Sequence, residues 1–132
     1  MTILLVEDDN NDYLLAKSLL GYAGIDHLRA ENGNSAIEIC KMVDTIKMVF
    51  MDLRMPGIDG YETTKRIKAF RQDLPIVTLT AYALSDEKHV SLSKGCDDYM
   101  SKPYSGDEFF KMIEKWTGFK TNISIKSNDT DI

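Results

Sequence analysis

Apolar and polar positions fall along this chain in blocks of two kinds. Short, largely apolar runs recur at residues 2–6 (TILLV), 48–51 (MVFM) and 76–79 (IVTL), each giving way to acidic or hydroxyl side chains. Runs this short, rich in β-branched and aromatic residues and bounded by turn formers, read as strands buried on both faces. Two more polar strands are expected at 27–30 and 98–101. Between the strands lie segments whose apolar residues recur three or four apart, the spacing of a helix. The first begins among Asn10, Asn11 and Asp12, which offer capping side chains, follows a stripe of Leu15, Leu19 and Tyr22, and stops at Gly24. A second covers 33–43 with Ala36, Cys40 and Val43 on one face. A third runs from Gly60 to about residue 70 along Thr63, Ile67 and Phe70. A fourth, at 85–94, is poor in apolar residues. The last is capped by Ser105 and carries Phe109, Met112, Ile113 and Trp116 on one strongly apolar face.

Five strands alternating with five helices predict an α/β fold whose parallel sheet is covered on both faces. The three most apolar strands belong at the centre and the two polar ones at the edges. That sorting favours the order 2-1-3-4-5, the flavodoxin-like (βα)5 three-layer sandwich. Residues 1–117 make one domain. Residues 118–132, rich in Asn, Asp, Ser and Thr and without periodicity, read as a mobile tail.

Charge and composition narrow the function. The formal net charge of -5 over 132 residues argues against a direct nucleic-acid role, which needs a basic face. Cys40 and Cys96 have no CxxC spacing, so they read as small buried hydrophobes suited to a reducing cytosol. No run approaches the ~20 apolar residues of a membrane span, and no signal pattern opens the chain. A cytoplasmic protein without membrane contact is expected.

The chemistry gathers where the strands end. Parallel strands bring their C-terminal ends to one rim, the place where open α/β sheets bind ligands. That rim receives Glu7 and Asp8, then Asp52, then Thr80, then Lys102. The loop after Asp52 is tight, with Pro56, Gly57 and Gly60. Three carboxylates brought together repel one another and call for protons or a cation. Mg²⁺, a hard ion that uses one or two carboxylates and completes its shell with water and phosphate oxygens, answers that need, with Mn²⁺ an acceptable substitute. Lys102 adds a positive charge and Thr80 a hydroxyl. Together they would surround a phosphoryl group on Asp52, a carboxylate already ionised at neutral pH and competent as a nucleophile.

With LLVEDD, MDLRMPGIDG, TLTAYA and YMSKPY in this order, each on its own strand end, the chain resembles the receiver domains of two-component response regulators over about residues 2–117. The resemblance implies that Asp52 is the phosphorylated residue, that Asp8 ligates Mg²⁺ directly and Glu7 through water, and that the backbone carbonyl of Arg54 completes the protein ligands. It makes Lys102 the contact to the phosphoryl oxygens, with a cis bond to Pro103, and Thr80 and Tyr99 the hydroxyl and aromatic switch positions. It implies a sensor histidine kinase or histidine phosphotransfer protein as donor, a downstream protein as target, and room for a phosphorylation-dependent homodimer. The bulky Arg54 and Tyr82 are expected to overhang the site and obstruct the water that would hydrolyse the acyl phosphate.

Other assignments are plainer. Asp9 reads as a helix-start residue, Asp59 as a turn and helix cap, and His27 and His89 have no partners at metal spacing. A stand-alone regulator is the first reading, and a receiver cut from a hybrid sensor kinase or a longer regulator the alternative. A Mg²⁺-dependent aspartyl-phosphate phosphohydrolase would want a second acid two residues past its nucleophile, where this chain has Arg54. A flavin- or nucleotide-binding module would want a Gly-, Ser- or Thr-rich loop after the first strand, where this chain has three acids.

Overall fold

A computed structural model describes residues 1–81 and 87–121. The chain order is β1 (Thr2–Val6), α1 (Asn10–Ala23), β2 (Asp26–Ala30), α2 (Gly33–Met42), β3 (Ile46–Asp52), α3 (Gly60–Lys68), β4 (Ile76–Thr80), α4 (Glu87–Ser93), β5 (Asp98–Ser101) and α5 (Gly106–Thr117). The five strands form one sheet in the order β2-β1-β3-β4-β5, all paired in parallel. The expected order holds, with the most apolar strands in the middle.

Alternation along the strands, broken only by a register shift between Ile46 and Met48 of β3, divides the interior into two layers. Ile3, Leu5, Met48, Phe50, Val77 and Leu79 face α1 and α5, where Phe109 stacks on Phe50 with ring centroids 4.6 Å apart. Leu4, Val6, Val49, Met51 and Ile76 face the other way, against Ala36, Ile37 and Cys40 of α2 and Ile67 of α3. The two cysteines are buried, free thiols.

Helix ends follow local chemistry. Asp9 caps α1 by accepting the Asn11 amide, and Gly24 closes it at φ 70°. Asp59 caps α3. Ser105 and Glu108 form a reciprocal capping box on α5.

Three expectations are corrected. Capping of α1 falls to Asp9, in keeping with its reading as a helix-start residue, and not to Asn10, Asn11 or Asp12. Of the stripe Leu15, Leu19 and Tyr22 only Leu19 packs against the core: Leu15 and Tyr22 are 45% and 62% exposed, and the buried contacts of the helix come from Ala16 and Leu20. Phe70 lies past the end of α3 and is 41% exposed. The expected start of the fourth helix, at residue 85, lies outside the described residues. Beyond α5, Phe119 packs against the α1–α5 layer, and Thr121 donates from both its amide and its hydroxyl to Glu114.

Candidate functional site

The strand register delivers the expected residues to one rim. β1 ends immediately before Glu7 and β3 ends on Asp52, with Val6 opposite Met51. Thr80 lies opposite Ser101 on the neighbouring strand, and the Lys102 amide donates to the Thr80 carbonyl at 2.7 Å. The backbone thus ties the ends of β4 and β5 together just where Thr80 and Lys102 emerge. The Lys102–Pro103 bond is cis.

One carboxylate oxygen each from Glu7, Asp8 and Asp52 lies within 4.8 Å of the others, Glu7 and Asp52 buried and Asp8 exposed. Asp52 Oδ1 accepts the Arg54 amide at 3.1 Å, and its Oδ2 lies 3.7 Å from Lys102 Nζ. Glu7 Oε1 accepts from Lys102 at 2.9 Å and its Oε2 from the Asp9 amide at 3.2 Å. Burial pushes the Glu7 carboxyl up, to about 8; its hydrogen bond to Asp52 pushes the same way, and Lys102 pulls it back. Lys102 is held above its ordinary value by Glu7 and Asp12, which outweigh its own burial.

The donor set is all hard oxygen, close enough for one ion to touch three side chains, and it fits Mg²⁺. The cavity beside the acids, lined by Leu5, Phe50 and Tyr104 among others, is only about 10 Å³. That is space for about one water.

Tyr99, on the edge strand β5, is apart from this cluster. It borders a surface cavity of about 330 Å³ between β5 and α5, with Glu108, Lys111, Met112 and Lys115. The Arg54 side chain is exposed, and Tyr82 lies outside the described residues.

Three contributors were not foreseen. Asp12 Oδ2 accepts from Lys102 Nζ at 2.9 Å. Arg29 donates to the Glu7 carbonyl at 3.0 Å and to Asn10, while its guanidinium covers the Tyr13 ring at 4.2 Å. Tyr104 stacks on Phe109, with its hydroxyl pushed up to about 12, chiefly by burial. Asp12 had a signal in the sequence: an acid in the first turn of a helix that starts at the rim.

The profile of the response regulator receiver domain matches residues 3–114. The chain belongs to that family. Among curated relatives, the sensor protein GacS of Pseudomonas syringae pv. syringae is 36% identical over 88% of this chain but only 13% of its own length. The transcriptional regulatory protein YrkP of Bacillus subtilis is 40% identical over 84% of the chain and 47% of its own length. The chain thus spans about an eighth of GacS and about half of YrkP. The response regulator DivK of Brucella anthropi is matched across 96% of its length, at 27% identity. Of solved receivers, that of the Pseudomonas aeruginosa sensor histidine kinase PA1611, with magnesium coordinated in its active-site cleft, superposes with TM-score 0.82 at 30% identity, covering 89% of this chain and 98% of that one. The receiver of Saccharomyces cerevisiae Ssk1, crystallised with the histidine phosphotransfer protein Ypd1, gives 0.83 at 29%, covering 94% and 93%. No helix among the described residues is long and apolar enough to cross a membrane.

Proposed function

We propose that this receiver domain accepts a phosphoryl group on Asp52 from a phosphohistidine of a sensor histidine kinase or histidine phosphotransfer protein. The observation that carries the reading is the juxtaposition at one rim: buried Asp52, two further acids within 4.8 Å, and the Lys102 ammonium at 3.7 Å. Support comes from the phosphotransfer protein bound to the related yeast receiver and the magnesium held by the related bacterial one.

A carboxylate oxygen of Asp52 attacks phosphorus; the new O–P bond forms as the P–N bond breaks, and its electron pair returns to the imidazole nitrogen. The Arg54 amide orients Asp52 through Oδ1. Lys102 and the Thr80 hydroxyl stabilise the charge that gathers on the phosphoryl oxygens. Glu7, Asp8, Asp52 and the backbone carbonyl of Arg54 would hold the metal. There Mg²⁺, or Mn²⁺ in its place, would offset the charge of the carboxylates and of the transferring phosphoryl group.

The transfer is self-catalysed, and slow attack of water on the acyl phosphate releases inorganic phosphate and restores the Asp52 carboxylate, so the domain acts as a switch rather than an enzyme of turnover. Attraction of the Thr80 hydroxyl to the phosphoryl group, with rotation of Tyr99, would reshape the face of α4, β5 and α5 for a downstream protein or a second copy. The test is to treat the phosphorylated chain with borohydride, which reduces an acyl phosphate to the alcohol. Homoserine at position 52 is the expected product; intact aspartate there contradicts the assignment.

A second context has its own support. The GacS match, confined to a small part of that protein, fits a receiver within a hybrid sensor kinase, whereas the DivK match over nearly its whole length fits a separate regulator. An immunoblot of the native cell separates the two by size.

A further inference from the structure

The Lys102 ammonium has three protons to place, and two are spoken for by 2.9 Å contacts to Glu7 Oε1 and Asp12 Oδ2; Asp52 is farther away at 3.7 Å. These two carboxylates are not equivalent. The Glu7 side chain is 6% exposed and fixed from its other oxygen by the Asp9 amide. The Asp12 side chain is 43% exposed, stands outside the trio of acids, and sits in the first turn of α1, where the helix N-terminus favours its charge.

A phosphoryl group on Asp52 draws the Lys102 ammonium, 3.7 Å from that carboxylate at rest, away from its present position, and the shift stretches one of its two 2.9 Å contacts. The exposed Asp12 is the one that water can compensate. We propose that Asp12 is a positioning residue: it holds the Lys102 ammonium on the β1–α1 side of the site at rest and competes with the phosphoryl oxygens for it, slowing phosphorylation of Asp52. This rests on Asp52 being the phosphoacceptor. The competition adds no covalent chemistry. With acetyl phosphate as donor, the Asp52 oxygen bonds to phosphorus, the bond from phosphorus to the acetyl oxygen breaks, and acetate leaves with the electron pair.

The experiment follows the initial rate of phosphoryl mass gain from acetyl phosphate and Mg²⁺, in the unsubstituted chain, Asp12→Asn and Asp12→Glu. It repeats Asp12→Asn in a Lys102→Met background, closing a double-mutant cycle. Thermal melts confirm that each variant folds. Nitrogen NMR of the Lys102 ammonium, in unphosphorylated protein, reads the contact independently of any transfer.

Asp12→Asn should react roughly two- to fivefold faster, the factor corresponding to a partly exposed ion pair. Asp12→Glu should return towards the original rate, the gain should vanish in Lys102→Met, and the ammonium signal should move in Asp12→Asn. An equal or slower rate in folded Asp12→Asn overturns the competition, as does a gain that survives without Lys102. An unmoved ammonium signal overturns the contact itself. If the unsubstituted chain takes no phosphoryl group, the phosphoacceptor reading fails and this inference with it. Uptake by the unsubstituted chain at the rate of Asp12→Asn overturns this inference alone.

Discussion

Glu7 is buried beside another carboxylate, and its titration reports what that costs. In the unfolded chain it titrates near the ordinary 4.5, but in the fold near 8. Between those values the folded state holds a proton that the unfolded state has released, so this group's contribution to stability falls as pH rises through that window. In metal-free buffer, Glu7→Gln should therefore gain melting temperature relative to the parent on going from pH 5.5 to 8.5. A pH-independent difference would show that Glu7 is ionised throughout. Asp52, Thr80 and Lys102 were legible because each ends a strand, and the end of a parallel strand fixes where a side chain emerges. Asp12 was not, because its reach to Lys102 depends on how α1 is rotated about its axis. Tyr104 and Arg29 act through stacking and backbone contacts that no motif encodes.

At the level of elements, α1 shows where periodicity stops deciding. Its apolar residues lie on two overlapping stripes, one through Ala16 and Leu20 and one through Leu15, Leu19 and Tyr22, and spacing alone cannot say which meets the sheet. The packing of α2 on α3 is decided by close approach: a Cβ on Gly33 would overlap the Thr63 hydroxyl and the Ile58 side chain. Gly33→Ala should cost about 1–3 kcal/mol, the usual range for overpacking, read from urea unfolding. An unchanged midpoint would mean that the two helices separate freely.

The helix α4 docks through hydroxyls rather than hydrocarbon. Buried Ser91 Oγ lies 3.0 Å from Thr78 Oγ1 on β4 and 3.1 Å from the Tyr61 hydroxyl on α3. Ser91→Ala removes both contacts while Thr78 Oγ1 keeps the Asp98 carbonyl at 3.3 Å, so the cost should be about 0.5–1.5 kcal/mol per hydrogen bond lost. Faster amide exchange confined to α4 and the adjoining part of β4 is the expected signature, and unaltered exchange would contradict it. Asp98 is the corresponding tie between β5 and α5, accepting from Lys115 at 2.8 Å and from the Trp116 indole at 2.9 Å.

Over the whole molecule, the alternation of strand and helix was enough to give the class and the strand order, because hydrophobicity sorts parallel strands from centre to edge. The same topology puts every strand's C-terminal end on one rim, so the acids, threonine and lysine, far apart in sequence and each in its own short motif, converge. The central claim is that this convergence makes Asp52 a phosphoacceptor. Intact mass after incubation with acetyl phosphate, with and without Mg²⁺, on this chain and on Asp52→Asn, tests it most directly. A Mg²⁺-dependent gain of about 80 Da, the mass of one phosphoryl group, is expected in the parent and none in the variant. No gain in the parent, or the same gain in Asp52→Asn, would contradict it.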